Sequence, residues 1–147
     1  MKISTRTRYG IRLMINLAKN YGKGFSLLKD ISKKEGVSEK YLSLIVIPLK
    51  GAGLLNTTRG VHGGYRLSKP PSEIKVKDIV EVLEGDLFLI DCVKNSRLCK
   101  RSNECVSRDL WVNLSNEITN YLTSITLMDL LKWEEKKSKS SAIDYCI

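Results

Sequence analysis

Apolar residues recur at helical spacing along most of this chain and at strand spacing in only two short places. Tyr9, Leu13 and Leu17 follow at four-residue steps with Met14 and Ala18 beside them, which predicts a first amphipathic helix capped by Ser4 and closed by Gly22 and Gly24. Ser26 is the expected cap of a shorter helix with Leu27, Leu28 and Ile31 inside, and Gly36 stands where a C-terminal cap belongs. From Ser38, "SEKYLSLIVIPLKGAG" puts Leu42, Ile45, Val46 and Leu49 on one apolar face, with Lys40, Ser43 and Lys50 elsewhere. Pro48 should bend or close its last turn. Two short helices joined through "KEGVSEK" make a helix-turn-helix.

Beyond it, β-prone Leu54 to Thr58 and Tyr65 to Leu67 flank the glycine-rich "RGVHGG", a hairpin with a flexible tip. Val76, Ile79, Val80 and Leu83 predict a fourth helix ending at Gly85. Residues 86–105 show little periodicity and read as a loop. Then Trp111, Leu114, Ile118, Tyr121 and Ile125 recur at alternating steps of three and four, a seam on a helix from about Arg108 to Ser124 that suits packing on its own domain or, projecting from a small basic domain, pairing with a second copy. The expected fold is mainly α: a winged helix-turn-helix domain with a small β-hairpin wing, followed by a long dimerisation helix. The expected divisions are 1–85 for the DNA-binding domain, 86–107 for the cysteine loop, 108–131 for the dimerisation helix and 132–147 for a flexible tail.

Charge sharpens this picture. The net charge is +9, and residues 1–75 carry 15 Lys and Arg against 4 Asp and Glu, whereas residues 76–147 carry 10 against 12. The basic half is the half that should meet a polyanion. No apolar run approaches the roughly 20 residues of a bilayer span, and Arg8 and Arg12 interrupt the start where a signal peptide needs an apolar stretch. A cytoplasmic protein with no membrane partner is therefore expected.

"DCVKNSRLCKRSNECVSRDLW" holds Cys92, Cys99 and Cys105, three of the four cysteines; Cys146 stands apart. In a reducing compartment, clustered thiols serve as ligands or redox sensors more often than as structural disulfides. Lys94, Arg97, Lys100, Arg101 and Arg108 nearby favour thiolates. Soft sulfur selects iron-sulfur clusters, zinc or copper, but the close C-x2-C or C-x4-C pair of a structural zinc site is missing. A thiol switch, or no chemical role, stays open. A cysteine-dependent enzyme fares badly, because the lone histidine, His62, sits in the glycine-rich wing rather than beside a thiol as a base.

The order helix, helix-turn-helix, "RGVHGGYRL" wing, short helix, cysteine loop and long helix resembles the winged-helix transcription regulators that include IscR, NsrR and CymR. The likeness covers nearly the whole chain and rests on "MKISTRTRYG", on "YLSLIVIPLKGAGLL" followed by "RGVHGGYRLSK", and on "CVSRDLW". It implies that Cys92, Cys99 and Cys105 match the three cluster ligands of the IscR-type iron-sulfur regulators, holding a 2Fe-2S cluster as cofactor. The spacing C-x6-C-x5-C has one residue more in its first gap than the IscR pattern. Arg108 stands where that type offers a histidine ligand, and Arg8 near where the NsrR type offers an acidic one. The fourth ligand is then unknown, with Cys146, Asp91, Glu104, Asp109 or a small exogenous ligand as candidates. CymR-type members lack the triad, so the alternative is a cluster-free regulator of the same fold responding to thiol oxidation or to a partner protein in sulfur metabolism.

The leading expectation is thus a dimeric DNA-binding regulator, a repressor, sensing iron-sulfur or redox status, and not an enzyme. The second helix of the helix-turn-helix should place Ser38, Glu39, Lys40, Tyr41 and Ser43 at or near the major groove. Arg59, Val61, His62 and Gly63 at the wing tip should reach the adjacent minor groove. Two wings on a two-fold homodimer imply a near-palindromic operator in double-stranded DNA.

Overall fold

The computed structural model describes residues 2–144; Cys146 lies outside them. Helix α1, Thr5–Lys19, begins where Ser4 caps it, its side chain accepting from the Thr7 N-H, and carries Leu13, Met14 and Leu17 into the core. Helix α2, Leu28–Glu35, ends at Gly36, whose φ of 65° is the left-handed cap expected of it. Helix α3, Glu39–Gly51, starts from Ser38, which accepts from the Tyr41 N-H, and buries Leu42, Ile45, Val46 and Leu49. Pro48 removes the N-H that the Leu44 carbonyl would have accepted, yet the helix runs on to Gly51.

Strands β1, Leu55–Thr58, and β2, Gly64–Leu67, pair antiparallel with Leu55 opposite Leu67 and Thr58 opposite Gly64. Ser26 adds a third rung, because its N-H donates to the Tyr65 carbonyl at 2.8 Å and its carbonyl accepts from the Tyr65 N-H at 2.9 Å. This corrects two expectations. Ser26 forms an isolated β-bridge with Tyr65 rather than the cap of α2, and Leu27, extended at the cap position, is 47% exposed instead of buried.

Helix α4, Val76–Glu84, lies across α1 and α3 and ends at Gly85 as expected. Residues 86–105 contain a four-residue helix α5, Asp91–Lys94, and a 3-10 turn at Ser96–Leu98. The segment expected at 108–131 holds two helices, the first close to the bounds, about Arg108 to Ser124, that the seam predicts. Helix α6 spans Val106–Ser124, and after extended Ile125 a helix α7, Leu127–Asp144, takes the place of the expected tail. Thr126 and Asp129 make a reciprocal cap: Asp129 Oδ2 accepts from the Thr126 N-H at 2.8 Å, and the Asp129 N-H donates to Thr126 Oγ1 at 3.2 Å. Leu127 is fully buried, and Lys19 pairs with Glu134 at 2.6 Å, so α7 packs back on α1. The joint is stitched to the body by Val76 N-H to Ile125 carbonyl and Leu127 N-H to Ile74 carbonyl, both 2.9 Å.

One core therefore joins α1, α2, α3, α4, the hairpin and the first turn of α7, with Leu13, Leu42, Ile45, Leu49, Ile74, Ile79 and Leu127 all fully enclosed. Helix α6 stands to the side, packed on α4 and contributing only Ser115 to the buried set.

Candidate nucleic-acid interface and cysteine segment

The start of α3 is presented to solvent. Ser38, Glu39 and Lys40 are exposed, and Ser43 is half-buried with its hydroxyl donating to the Glu39 carbonyl at 2.9 Å. Tyr41, beside them, is half-buried. Its ring meets Tyr9 edge-on at 5.9 Å and packs on the core, while Arg12 lies over the Tyr9 face at 5.3 Å. Tyr41 thus steadies the base of α3.

The face of α3 opposite its buried stripe carries Lys40, Leu44, Ile47 and Gly51. Leu44 is 55% and Ile47 66% exposed. Neither was singled out from the sequence, although "YLSLIVIPLK" holds more apolar residues than one buried face can use.

At the wing, Arg59, Val61 and His62 are exposed, and Val61 is nearly free of the fold. Gly63 differs from its three neighbours. It is buried, its N-H donates to the Gly60 carbonyl at 3.0 Å, and a Cβ there would meet the Thr58 carbonyl oxygen at 2.6 Å. Gly63 closes the turn, and the contact-capable tip is Arg59, Val61 and His62. The guanidinium of Arg66 stacks on Phe25 at 4.6 Å, bracing the strand that carries the tip. Between the tip and the α1 and α2 helices lies an open cleft of about 660 Å³ lined by Lys19, Lys34, Val61 and His62. Partial burial and the neighbouring Lys19 hold Lys34 below the ordinary lysine range.

Cys92 lies on α5, Cys99 follows the 3-10 turn and Cys105 caps α6. All three are free, half-buried thiols. The segment is tied down at Cys92, whose carbonyl accepts from Arg108 Nε at 3.0 Å, and at Leu89, whose N-H reaches Ser115 Oγ at 3.4 Å. Lys94 pairs with Asp86, which raises the ammonium above its ordinary range. Three thiols suit an iron-sulfur group in donor chemistry. Their placement does not: among the described residues no three His, Cys, Asp or Glu side chains are gathered as a metal site. Arg108, at the position of the missing histidine, is engaged with the Cys92 backbone, and a guanidinium is no metal ligand.

A helix-turn-helix with a braced β-hairpin beside its second helix, on a chain whose first half is strongly basic, defines a winged-helix DNA-binding regulator. Comparison with known proteins places it more narrowly. The family model described as Rrf2, iron-dependent transcriptional regulator, matches residues 3–133, and the chain belongs to that family. It is 37% identical over 140 residues to the HTH-type transcriptional regulator CymR of Bacillus subtilis, covering 95% of this chain and 96% of that one. The solved structure of CymR, described as the global cysteine regulator of B. subtilis, superposes with a TM-score of 0.77 at 38% identity, over 90% of this chain and 98% of that one. T. potens IscR gives 0.75 at 37% identity, over 93% and 90%. The relatives are regulators of transcription and not enzymes. Among the described residues no helix is long and apolar enough to cross a membrane.

Proposed function

We propose that the protein is a homodimeric repressor that binds a near-palindromic operator and reports iron-sulfur or redox status through its cysteine segment. The observation that carries the dimer is the outer line of α6. Val106, Leu110, Leu114 and Tyr121 are 81%, 58%, 39% and 60% exposed on a helix whose other side already packs on α4. A second copy of α6 covers such a line by two-fold symmetry. Of the expected seam, Leu114 and Tyr121 belong to this line, whereas Trp111, Ile118 and Ile125 are half-buried. Each protomer then offers Ser38, Glu39 and Lys40 to the major groove and Arg59, with Val61 and His62, to the minor groove.

For the sensor, Cys92, Cys99 and Cys105 are the ligands of a 2Fe-2S cluster, with the fourth ligand from another group. Holding it requires the segment to leave the arrangement described above. The second reading, a cluster-free regulator responding to thiol oxidation or to a partner protein in sulfur metabolism, is favoured by the bond from Arg108 to the Cys92 carbonyl, which ties the segment down without metal. Its likeness to a protein described as a global cysteine regulator points the same way.

Anaerobic incubation with iron and sulfide, read by iron and sulfide content and visible absorption, separates the two. Wild type should take up more iron than a triple Cys92→Ala, Cys99→Ala, Cys105→Ala variant, and Cys146→Ala tests the tail thiol as fourth ligand. Equal uptake in wild type and triple variant rejects the cluster and leaves the thiol reading. Light scattering at micromolar concentration should give a dimer that Leu110→Glu and Leu114→Glu together dissociate; a wild-type monomer overturns the dimer.

A further inference from the structure

Leu44 and Ile47 stand out on the basic half of the chain. They are branched aliphatic side chains more than half exposed on the outward face of α3, one and two turns beyond Lys40. Neither packs on the core, and neither belongs to the α6 line. Whatever covers this face must offer apolar groups within a surface that welcomes positive charge, since residues 1–75 carry 15 Lys and Arg against 4 Asp and Glu. A second copy of the same face brings like charge against like. The major groove meets both demands, because its phosphates are negative and its one projecting apolar group is the C5-methyl of thymine.

We propose that Leu44 and Ile47 are a reading pair for thymine methyl groups, so that each half-site of the operator carries T·A pairs beneath the middle of α3. This rests on α3 being the helix that enters the major groove. The two side chains are three residues apart, about 4.5 Å along the helix axis, against about 3.4 Å per base step along a strand. They therefore address methyl groups on adjacent or next-adjacent pairs. The same side chains penalise the alternatives, since an aliphatic group over cytosine N4 or guanine O6 strips water from a polar edge and returns no hydrogen bond.

The test uses the full chain and a duplex selected by wild-type protein from a random pool. The selected duplex is resynthesised with deoxyuridine replacing thymidine one position at a time, which deletes only the methyl group. Wild type should lose about fourfold in affinity at one or two positions per half-site, the value of one buried methyl converted to a binding ratio. Leu44→Ala and Ile47→Ala should each bind the thymine duplex more weakly and lose the discrimination at one position. Their thermal unfolding should match wild type, because the side chains removed are exposed. Equal binding of the thymine and deoxyuridine duplexes at every position, or selected half-sites without T·A pairs, overturns the inference while leaving DNA binding by α3 intact. A change of oligomeric state in Leu44→Ala with unaltered DNA affinity also overturns it, by making the face a protein contact. Failure of wild type to select any duplex would instead sink the underlying placement of α3.

Discussion

Replacing Gly64 by alanine should detach the wing from the body of the domain. A Cβ at this position would lie 2.4 Å from the Ser26 carbonyl oxygen and 2.8 Å from its carbon. Both are backbone atoms, so no rotamer change relieves the contact. Gly64 also has φ +144°, a backbone conformation that side chains other than glycine rarely adopt. The least costly response is for the strand to part from Ser26, which forfeits the two Ser26 to Tyr65 hydrogen bonds. At about 1 kcal/mol net each, with about 1 kcal/mol of residual backbone strain, the loss is about 3 kcal/mol.

Gly53 supplies the control, because its φ is +74° and nothing lies within 4 Å of its would-be Cβ. Gly53→Ala should therefore cost only about 1 kcal/mol, for the left-handed backbone alone. In urea unfolding followed by circular dichroism, a difference of about 2 kcal/mol separates the two midpoints by about 1 M. Gly64→Ala should also bind DNA more weakly, since the wing tip loses its fixed direction. A Gly64→Ala midpoint at or above that of Gly53→Ala would refute the argument that the Ser26 contact positions the wing.

Ser38→Ala removes the cap of α3 and should cost about 1 kcal/mol in urea unfolding, with weaker DNA binding; an unchanged midpoint would mean that the Tyr41 N-H finds water at no loss. Glu84 accepts from the Ser4 N-H at 2.7 Å, and its hydrogen bonds with Ser4 hold its carboxyl below the ordinary value of 4.5. That contribution is complete above the unfolded value and disappears as pH falls through the lower folded one, so Glu84→Gln should be less stable than wild type at pH 7 and approach it at pH 3; a gap independent of pH refutes the ion's role. Thr126→Ala breaks the reciprocal cap of α7 and should lower stability by about 1 kcal/mol, with faster proteolysis near residue 126; unchanged cleavage would show that Leu127 alone anchors the helix. Arg59→Ala should reduce affinity and shorten the footprint at the flanking minor groove, and an unaltered footprint would remove the wing from the interface.

Local signals proved legible wherever the deciding interaction was local. Ser4, Ser38, Gly36 and Gly85 mark helix ends with partners a few residues away, and the stripe of Leu42, Ile45, Val46 and Leu49 needed only the helical period. Ser26 looked like a cap because its true partner, Tyr65, is distant in sequence. The end of α6 near Ser124 followed from the seam, but the helix after it was missed although the Thr126 to Asp129 cap was readable in "TLMD", because the charged and Ser-rich run beyond Leu131 resembles a tail. Leu44 and Ile47 were hidden by their chemistry, since hydrophobicity alone does not separate a core residue from one that waits for a partner. The cysteine spacing was plain from the first reading. Whether three thiols converge depends on how an aperiodic segment folds, and in this segment Arg108 and Ser115 settle its course.

The stitched joint at Ile125 would let α6 act as a lever on the head, provided that α6 slides along the α4 face it packs on. Its far end is clamped to the strand-like residues before α4, and hence to the head that carries α3 and the wing, while its near end begins at Cys105. Nineteen helical residues span about 28 Å. A tilt of only about 5° where the cysteine segment grips the helix would swing the head by about 2.5 Å over that arm. In the proposed two-fold dimer two such arms would move in opposite senses, changing the gap between the two α3 helices by up to about twice that amount. Half-sites on DNA are spaced by a rigid pitch, and a mismatch of that size is enough to take one helix out of register with its groove.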